Sequence, residues 1–296
     1  MDINDCDINN DYFQLQTKEN HMCKAIFIDI DGTLKNNTEI SKRTISVIKK
    51  VVEKGILVIL CSGRPRQYVE NISRKCYAST YIISSNGGVI YDYKKNKILY
   101  KSAIKKQACM ELYKISEEFN TTFIMDIEGM QVVNKLEKCN SSKKVLDTNI
   151  KTFLSDNNIM LCTIKDENFE KMVRIREKIE EITGIEIKQE LKSFGDDITS
   201  KKEYMYYFIG NTETCKGNAI KKFCEISDID LKDTIAIGDD FNDISMFQVV
   251  GYSVAMGNAP DEVKKYADEI TLSNDEDGVA VFLEKLLINS TNGGLV

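Results

Sequence analysis

The first part of the chain alternates short apolar runs of strand length with stretches of helical periodicity. Each run is continuously apolar, as in a buried parallel strand, and each is broken by a polar turn. Between the first two runs, apolar residues at helical spacing predict a helix that Ser41 caps and Gly55 ends. This alternation predicts a doubly wound α/β domain. The three runs and their polar ends are Lys24–Ile30 with Asp31-Gly-Thr, Ile56–Leu60 with Ser62-Gly-Arg-Pro, and Tyr81–Ser84 with Asn86-Gly-Gly.

The pattern changes between Val89 and Phe208, where hairpin-like pairs of strands mix with two or three helices. One helix, near residues 167–183, carries a single apolar stripe. The α/β pattern returns at Cys215, with further strands at 234–237, 252–256 and 269–272. We therefore expect an α/β fold, with a Rossmann-like doubly wound parallel-sheet core split around an inserted α+β domain. The predicted boundaries are a flexible tail over 1–22, the core over 23–87 and 212–290, the insertion over 88–211, and a second tail over 291–296.

Carboxylates follow two of the predicted core strands, and ligands of an open α/β sheet bind at the carboxyl ends of its strands. Asp29 and Asp31 end the first strand, and the segment Gly238–Asp243, with three aspartates, follows the strand at 234–237. Several carboxylates in one cleft repel one another strongly unless a hard dication lies between them, and oxygen ligands of this kind suit Mg²⁺. The sequence therefore predicts a magnesium site.

Composition narrows the chemistry that this site can use. The chain has 46 acidic and 40 basic residues and a net charge of −6, which gives no general attraction for polyanions, so nucleic acid is not an expected partner. The single histidine, His21, lies in the predicted N-terminal tail. Catalysis is therefore expected to depend on carboxylates, lysine and hydroxyls.

Cysteine usage and hydropathy indicate the compartment. The nine cysteines are odd in number, scattered and without a CxxC pair, which is typical of free thiols in a reducing environment. No apolar run approaches the roughly eighteen residues that span a bilayer, and Met1 to Asn20 lacks the features of a signal peptide. We expect a cytoplasmic protein without a membrane partner. No pattern in the sequence specifies an oligomeric state.

Four motifs together resemble the haloacid dehalogenase-like (HAD) phosphohydrolase superfamily, and within it the Cof-type phosphatases with a large α+β cap of type IIB. The resemblance extends over nearly the whole chain after Met22. Two further segments, Ser85–Gly88 and Val254–Pro260, are similar to other Cof-type signatures. The four motifs are Phe27–Leu34, Leu60–Pro65, Lys216–Ile220 and Gly238–Asp243.

The resemblance implies a Mg²⁺-dependent phosphatase that cleaves a small-molecule phosphomonoester, with sugar phosphates as the commonest substrates. It implies that Asp29 is the nucleophile that forms an aspartyl phosphate, and that Asp31 is the general acid and base. Lys216 would offset the charge of the reacting groups. The implied metal ligands are Asp29, the backbone carbonyl of Asp31, Asp239 and, indirectly, Asp243. The implied phosphate- and substrate-binding residues are Gly32, Ser62, Gly63, Arg64, Asn86 and Asn242.

Some of these residues also have a plainer interpretation. Arg64 either reaches a substrate anion or braces the hinge of the cap, and Asn86 either contacts substrate or only marks the crossover from core to cap. The run Tyr204–Phe208 is expected to be a cap strand that packs on its own helices, with the lining of a pocket by one ring as the alternative.

Two other functions stay open at this point. A phosphomutase of the phosphomannomutase kind has a similar core and cap but returns its phosphoryl group to a sugar. A catalytically idle binding protein could share the fold without turnover. The presence of all the catalytic acids favours an enzyme over the idle protein.

Overall fold

The computed structural model describes residues 23–291, apart from 36–38, 128–129, 136–142 and 195–201. The strands are β1 Ala25–Ile28, β2 Leu57–Cys61, β3 Tyr81–Ser84, β4 Val89–Asp92, β5 Lys97–Lys101, β6 Thr122–Ile127, β7 Met130–Val133, β8 Lys143–Val145, β9 Leu161–Asp166, β10 Ile185–Phe194, β11 Glu203–Asn211, β12 Thr234–Gly238, β13 Tyr252–Ala255 and β14 Glu269–Ile270. The helices are α1 Lys42–Glu53, α2 Arg66–Lys75, α3 Lys106–Glu118, α4 Ile150–Asp156, α5 Phe169–Glu180, α6 Lys216–Ser227, α7 Ile244–Phe247, α8 Asp261–Lys264 and α9 Gly278–Thr291.

The two predicted tails fall largely outside the described residues. Residues 1–22 and 292–296 are not described, whereas Thr291 still belongs to α9. The C-terminal helix therefore continues one residue past the predicted end of the core.

The core sheet has eight strands in the order β14-β13-β12-β1-β2-β3-β4-β5, and the strands from β14 to β3 are parallel. Its central strand is apolar on both faces because helices cover both faces. Ile26 and Ile28 of β1 share an apolar cluster with α1 and α9, whereas Ala25 and Phe27 pack with residues of α6 and α7. The predicted doubly wound parallel core is confirmed.

The hairpin β4–β5 belongs to the core sheet, although the sequence places it in the insertion. β4 pairs antiparallel with β3, and β5 pairs antiparallel with β4. Val89 and Tyr91 are buried in the same apolar cluster as the core strands. The sequence-based boundary at residue 88 therefore lies before this hairpin, because an antiparallel pair has the same local pattern in either sheet.

The inserted domain, the cap, contains a six-stranded sheet in the order β10-β11-β9-β6-β7-β8. Its strands pair antiparallel except for β7 with β8. Helices α3, α4 and α5 share one apolar cluster with one face of this sheet. The stripe predicted near 167–183 is part of that cluster, with Met172, Ile175 and Ile179 fully buried. The cap therefore has its own apolar core, separate from those of the parallel sheet.

Candidate active site

Four adjacent parallel strands, β12, β1, β2 and β3, end at the same edge of the core sheet. Asp29 follows β1, Ser62 follows β2, and Asp239 follows β12. Asn86 lies in a single 3₁₀ turn that follows β3. Sheet order thus brings together motifs that are far apart in the chain, as the rule for open α/β sheets leads one to expect.

Three aspartates at these strand ends form a compact acidic cluster. Asp29, Asp239 and Asp243 each offer a carboxylate oxygen, and the three oxygens lie within 4.8 Å of one another. Lys216 joins the cluster, since its Nζ lies 2.6 Å from Oδ1 of Asp29 and 2.5 Å from Oδ1 of Asp243. The Lys216 side chain has no solvent-exposed surface. The structure therefore places the predicted nucleophile beside a buried ammonium group.

Burial shapes the electrostatics of the cluster. It is the largest cause that raises the pKa of Asp29 well above its ordinary range; Lys216 opposes this effect, and Asp243 and Asp239 add to it. Burial also raises the pKa of Asp239 to about 7. Burial would lower the pKa of Lys216, but the carboxylates of Asp243 and Asp29 outweigh it and raise that pKa. One lysine thus faces three carboxylates, and a further cation would favour the ionised form of these acids.

The donor set fits a hard divalent cation. Three carboxylates with one lysine leave an excess of buried negative charge, and oxygen donors are those that Mg²⁺ prefers. The carboxylate of Asp31 is not part of this cluster, so any role for Asp31 as a ligand would use its backbone carbonyl. No other cluster of possible metal ligands occurs in the part of the chain that the structure describes.

Lys216 is the first residue of α6, a position where the helix dipole disfavours a cation. The two carboxylates on Nζ compensate for this unfavourable position. The next residue, Gly217, lets α6 approach α7 closely, because a Cβ there would lie only 2.0 Å from the backbone oxygen of Ser245. A larger residue at 217 would therefore push Lys216 away from the acidic cluster.

Asp243 organises the loop after β12. Its Oδ2 accepts hydrogen bonds from the backbone N–H groups of Asp239 and Asp240, at 2.9 and 3.0 Å. Its Oδ1 accepts from Lys216. Because both oxygens are already engaged, Asp243 is suited to hold Asp239 and Lys216 in place.

Asp239 is further held by two residues to which the sequence analysis assigned no role. Thr33 Oγ1 donates to Oδ1 of Asp239 at 2.5 Å, and Asn258 Nδ2 lies 3.5 Å from its Oδ2. Asn258 also donates to the carbonyl oxygen of Gly32 at 2.9 Å. Gly32 has φ +91°, and a Cβ there would lie 2.2 Å from Asp239 Oδ2. Thr33 lies in the motif Phe27–Leu34 and Asn258 in the segment Val254–Pro260, so these two motifs could have identified both residues.

Asp31 faces Arg64 rather than the acidic cluster. Arg64 donates from Nε to Asp31 Oδ2 at 2.8 Å and from Nη2 to Asp31 Oδ1 at 3.2 Å. About a third of each side chain is exposed. The guanidinium also lies 5.4 Å from the ring centroid of Tyr68. The contact that the structure shows for Arg64 is its ion pair with Asp31. Neither of the two predicted roles, contact with a substrate anion or bracing of the cap hinge, is shown directly.

The other predicted phosphate-binding residues lie around the strand ends. Ser62 is buried, and its Oγ accepts a hydrogen bond from the backbone N–H of Arg64 at 3.2 Å. Asn242 Nδ2 donates to Asn86 Oδ1 at 3.3 Å. Asn86 has a left-handed backbone, with φ +55°. The structure thus links Asn86 with Asn242 across the site.

Gln189 of the cap reaches this site, although it is not among the residues predicted from the sequence. Its Oε1 is 3.0 Å from the position that a Cβ on Gly63 would take, and Asn242 Nδ2 is 3.9 Å from that position. With a side chain at residue 63, the Gln189 side chain would have to shift by a few tenths of an ångström. No motif marks Gln189, and only the packing of the two domains reveals its position.

The cap also contacts the turn after β3 through a buried acid. Asp126 of β6 is 5% exposed, and its Oδ2 accepts a hydrogen bond from Ser85 Oγ at 2.8 Å. Burial raises the pKa of Asp126 to about 7, with smaller opposing effects from Ser85 and Arg66. Ser85 itself has φ +52°, in the left-handed region. A carboxyl group of the cap sheet thus binds this turn of the core. The chain crosses to the cap only after β5, so Asn86 does not mark the crossover, because the hairpin β4–β5 continues the core sheet.

These features define a capped α/β enzyme with an acidic centre at its strand ends. A family model of haloacid dehalogenase-like hydrolases matches residues 26–283, and the chain belongs to this family. Within the family it is a Cof-type phosphatase with a type IIB cap, as its relatives and structural neighbours indicate. The predicted family, fold and enzyme class are confirmed.

Two relatives from Bacillus subtilis illustrate this membership. The phosphatase YwpJ is 28% identical over 290 residues, with 89% of this chain and 100% of YwpJ covered. The 5-amino-6-(5-phospho-D-ribitylamino)uracil phosphatase YwtE is 30% identical over 285 residues, with 89% and 98% covered.

Solved structures show the same architecture. A haloacid dehalogenase-like hydrolase from Bacteroides thetaiotaomicron has a TM-score of 0.73 at 26% identity, with 89% of this chain and 99% of that chain covered. The HAD subclass IIB sugar phosphatase BT4131 has a TM-score of 0.69 at 23% identity, with 90% and 99% covered, and supports the fold. Among the helices that the structure describes, none has the length and apolarity needed to cross a membrane.

Proposed function

We propose that this protein is a Mg²⁺-dependent phosphohydrolase that cleaves small organic phosphomonoesters, sugar phosphates among them, through an aspartyl phosphate on Asp29. The observation that carries the proposal is the buried contact of Asp29 with Lys216, inside a cluster completed by Asp239 and Asp243. A carboxylate that attacks a phosphate dianion needs positive charge to offset their repulsion, and Lys216 with a bound cation would supply it.

In the first step, an oxygen of Asp29 forms a bond to phosphorus and the ester bond to the leaving alcohol breaks. Asp31 gives a proton to the departing oxygen. In the second step, Asp31 takes a proton from a water molecule that attacks the same phosphorus. Inorganic phosphate leaves, and the carboxylate of Asp29 is restored.

The contact between Asp31 and Arg64 sets a condition on this cycle. Arg64 donates to both carboxylate oxygens of Asp31. A protonated Asp31 must therefore release at least one of these bonds before it can reach the leaving oxygen. We infer that Arg64 positions the carboxyl group of Asp31 between the two steps of the cycle.

Asp29 and Asp239 are the side chains that would hold Mg²⁺, with the backbone carbonyl of Asp31 as the resemblance implies. When bound, the ion supplies positive charge to the phosphate and to the developing transition state. Asp243 contributes indirectly, because its bonds to Lys216 and to the backbone of residues 239 and 240 keep the site in shape.

The phosphoryl oxygens would be bound by the hydroxyl of Ser62, the backbone N–H of Gly63 and the amide of Asn242. Gly32 keeps the approach to Asp239 open, because any side chain there would occupy the space of that carboxylate. Asn86 supports Asn242 through their hydrogen bond. These groups leave the alcohol part of the substrate facing the cap.

A cytoplasmic location is part of the proposal. Cys23, Cys61, Cys76, Cys109, Cys162, Cys215 and Cys224 are all free thiols, among the cysteines that the structure describes. Free thiols in this number are typical of a reducing compartment.

Metal removal tests the proposal. Exhaustive treatment with EDTA is expected to abolish phosphate release from a panel of phosphomonoesters, and added Mg²⁺ is expected to restore it. Mass spectrometry of acid-quenched enzyme should find the phosphoryl group on the peptide that contains Asp29. Full activity after chelation, or a phosphoryl group on another residue, would contradict the mechanism.

A further inference from the structure

Strand β11, which lies between β10 and β9 in the cap sheet, presents two different faces. Its alternate residues Met205, Tyr207 and Ile209 are buried in the apolar cluster that the cap sheet forms with its helices. Tyr204, Tyr206 and Phe208 alternate with them and therefore project from the opposite face. These three side chains, here called the ring row, are partly exposed. The ring row therefore lies on the face of the cap sheet that is opposite the cap helices.

The rings of the row lie next to one another. The ring centroids of Tyr206 and Phe208 are 6.2 Å apart, with an interplanar angle of 11°. Those of Tyr204 and Tyr206 are 6.4 Å apart, with an angle of 56°. Phe208 and Tyr206 thus present two nearly parallel rings side by side, with their orientation fixed by the strand.

Strand register places Phe208 opposite the phosphate-binding loop. Phe208 pairs with Gln189 on one side and with Thr163 on the other, and Thr163 pairs with Ile124. All four residues share one face of the cap sheet. At one end of this line, Gln189 lies against Gly63.

The other end of the line is also anchored to the core. Asp126 lies two residues beyond Ile124, on the same face, and contacts Ser85 in the turn after β3. Phe208 and Thr163 therefore lie between two points at which the cap touches the core. They face the strand ends where the phosphate is expected to bind.

A buried cation lies beside the tyrosines of the row. Lys165 is 3% exposed, and its Nζ lies 5.1 Å from the ring centroid of Tyr204 and 5.5 Å from that of Tyr206. Lys165 pairs with Tyr206 across the strands, on the same face. This contact helps to hold the tyrosine rings in place. The row is therefore an ordered aromatic surface that continues away from the phosphate end of the site.

We propose that Phe208 and Tyr206 are specificity-determining residues that stack a planar ring of the substrate, so that the preferred substrates are sugar or polyol phosphates that also carry an aromatic or heteroaromatic ring. The inference rests on the proposed function and narrows its substrate class. Stacking suits this surface because aromatic rings pair favourably in parallel or offset geometry, whereas a bare sugar phosphate offers no ring to the row.

The test uses matched pairs of substrates that differ only by the ring. Ribose 5-phosphate is compared with adenosine 5′-monophosphate, and ribitol 5-phosphate with flavin mononucleotide. The wild-type protein is expected to show a kcat/KM at least about tenfold higher for a ring-bearing member than for its ring-free partner. Phe208→Leu and Tyr206→Leu should each lower kcat/KM for the ring-bearing member by roughly 10- to 100-fold, mainly through KM. In both variants, kcat/KM for the ring-free member should stay within about twofold of the wild-type value.

Tyr266→Leu is the matched control, because Tyr266 is an exposed tyrosine of the core, outside the site. This substitution should leave kcat/KM unchanged for both members of each substrate pair. Equal kcat/KM for both members of both pairs, or an equal loss on both members in the two cap variants, would overturn the inference. Acetyl phosphate, an activated compound without a ring, separates this result from failure of the proposed function. If the protein releases phosphate from acetyl phosphate, the proposed phosphatase activity is supported independently of the ring row. If neither acetyl phosphate nor any member of the two pairs is hydrolysed, the proposed function itself fails.

Discussion

The acidic cluster of the core and the ring row of the cap are built in opposite ways. The core contributes charged groups at hydrogen-bonding distance, such as Lys216 with Asp29 at 2.6 Å. The cap contributes partly exposed rings about 6 Å apart. The first arrangement is suited to moving a phosphoryl group, and the second is suited to choosing the alcohol that carries it.

The difference has an energetic consequence. Removing one member of a buried charged network leaves its partner unsatisfied, which is costly, and it also removes a group that acts on the reacting atoms. Removing one ring from a partly exposed surface loses only contact area and stacking. Substitutions in the core are therefore expected to affect every substrate strongly, and those in the cap to affect some substrates moderately.

Asp29→Asn should have the largest effect. The amide is a poor nucleophile and no longer offers a carboxylate to Lys216, so turnover of every substrate should fall by at least about 10³-fold. No phosphoenzyme should be trapped. Steady-state phosphate release and acid-quench mass spectrometry measure both quantities.

Asp240→Asn is the matched control for Asp29→Asn. Asp240 Oδ1 accepts from the backbone N–H of Phe241 at 2.8 Å, and an asparagine oxygen can keep that bond. Activity should stay within roughly threefold of wild type. Near-normal turnover in Asp29→Asn, or an equal loss in Asp240→Asn, would show that the nucleophile has been assigned wrongly.

Asp31→Asn should affect substrates less uniformly than Asp29→Asn, because its effect depends on the leaving group. Loss of the general acid should lower turnover of alkyl phosphates by roughly 10²- to 10⁴-fold. Formation of the phosphoenzyme from an aryl phosphate with a good leaving group should be less affected, and its hydrolysis should then stall. Pre-steady-state kinetics on the two kinds of ester make the comparison, and an identical loss on both would exclude Asp31 as the acid.

Asp126→Asn should have the smallest effect on turnover, and its effect should be on stability instead. Because burial raises the pKa of Asp126 to about 7, the native protein holds a proton that the unfolded chain releases near pH 4. The resulting destabilisation is absent below about pH 4, grows as the pH rises, and is complete above about pH 7. Asp126→Asn should therefore be more stable than wild type by up to about 4 kcal/mol at pH 8, and show little of this gain at pH 4.

Thermal denaturation of the full-length protein at several pH values measures this difference. Asp147→Asn is the control, because Asp147 is exposed on the cap and its loss changes the net charge by the same amount. A gain for Asp126→Asn that does not change with pH would contradict the assignment, and so would the same pH-dependent gain in the control.

The comparison of core and cap also shows which parts of the site were predictable. Asp29, Ser62, Asn86 and Asp239 each follow a continuous apolar run, so the pattern alone placed them at strand ends that meet. The partner of Arg64 was not predictable, because a long flexible side chain can reach several groups within the same few ångströms. Gln189 and Asp126 carry no motif, and their contacts with the core arise only when the cap packs on it.

The amino-acid sequence by itself determined the doubly wound core, the insertion and the acids that we propose carry the chemistry. These features follow from local patterns, namely runs that must be buried and polar turns that must end them. Only the tertiary structure decided that β4–β5 extends the core sheet and that Tyr204, Tyr206 and Phe208 turn away from the cap helices. Alternation along a strand separates two faces without saying what each one meets, and strand pairing and domain packing fix that choice.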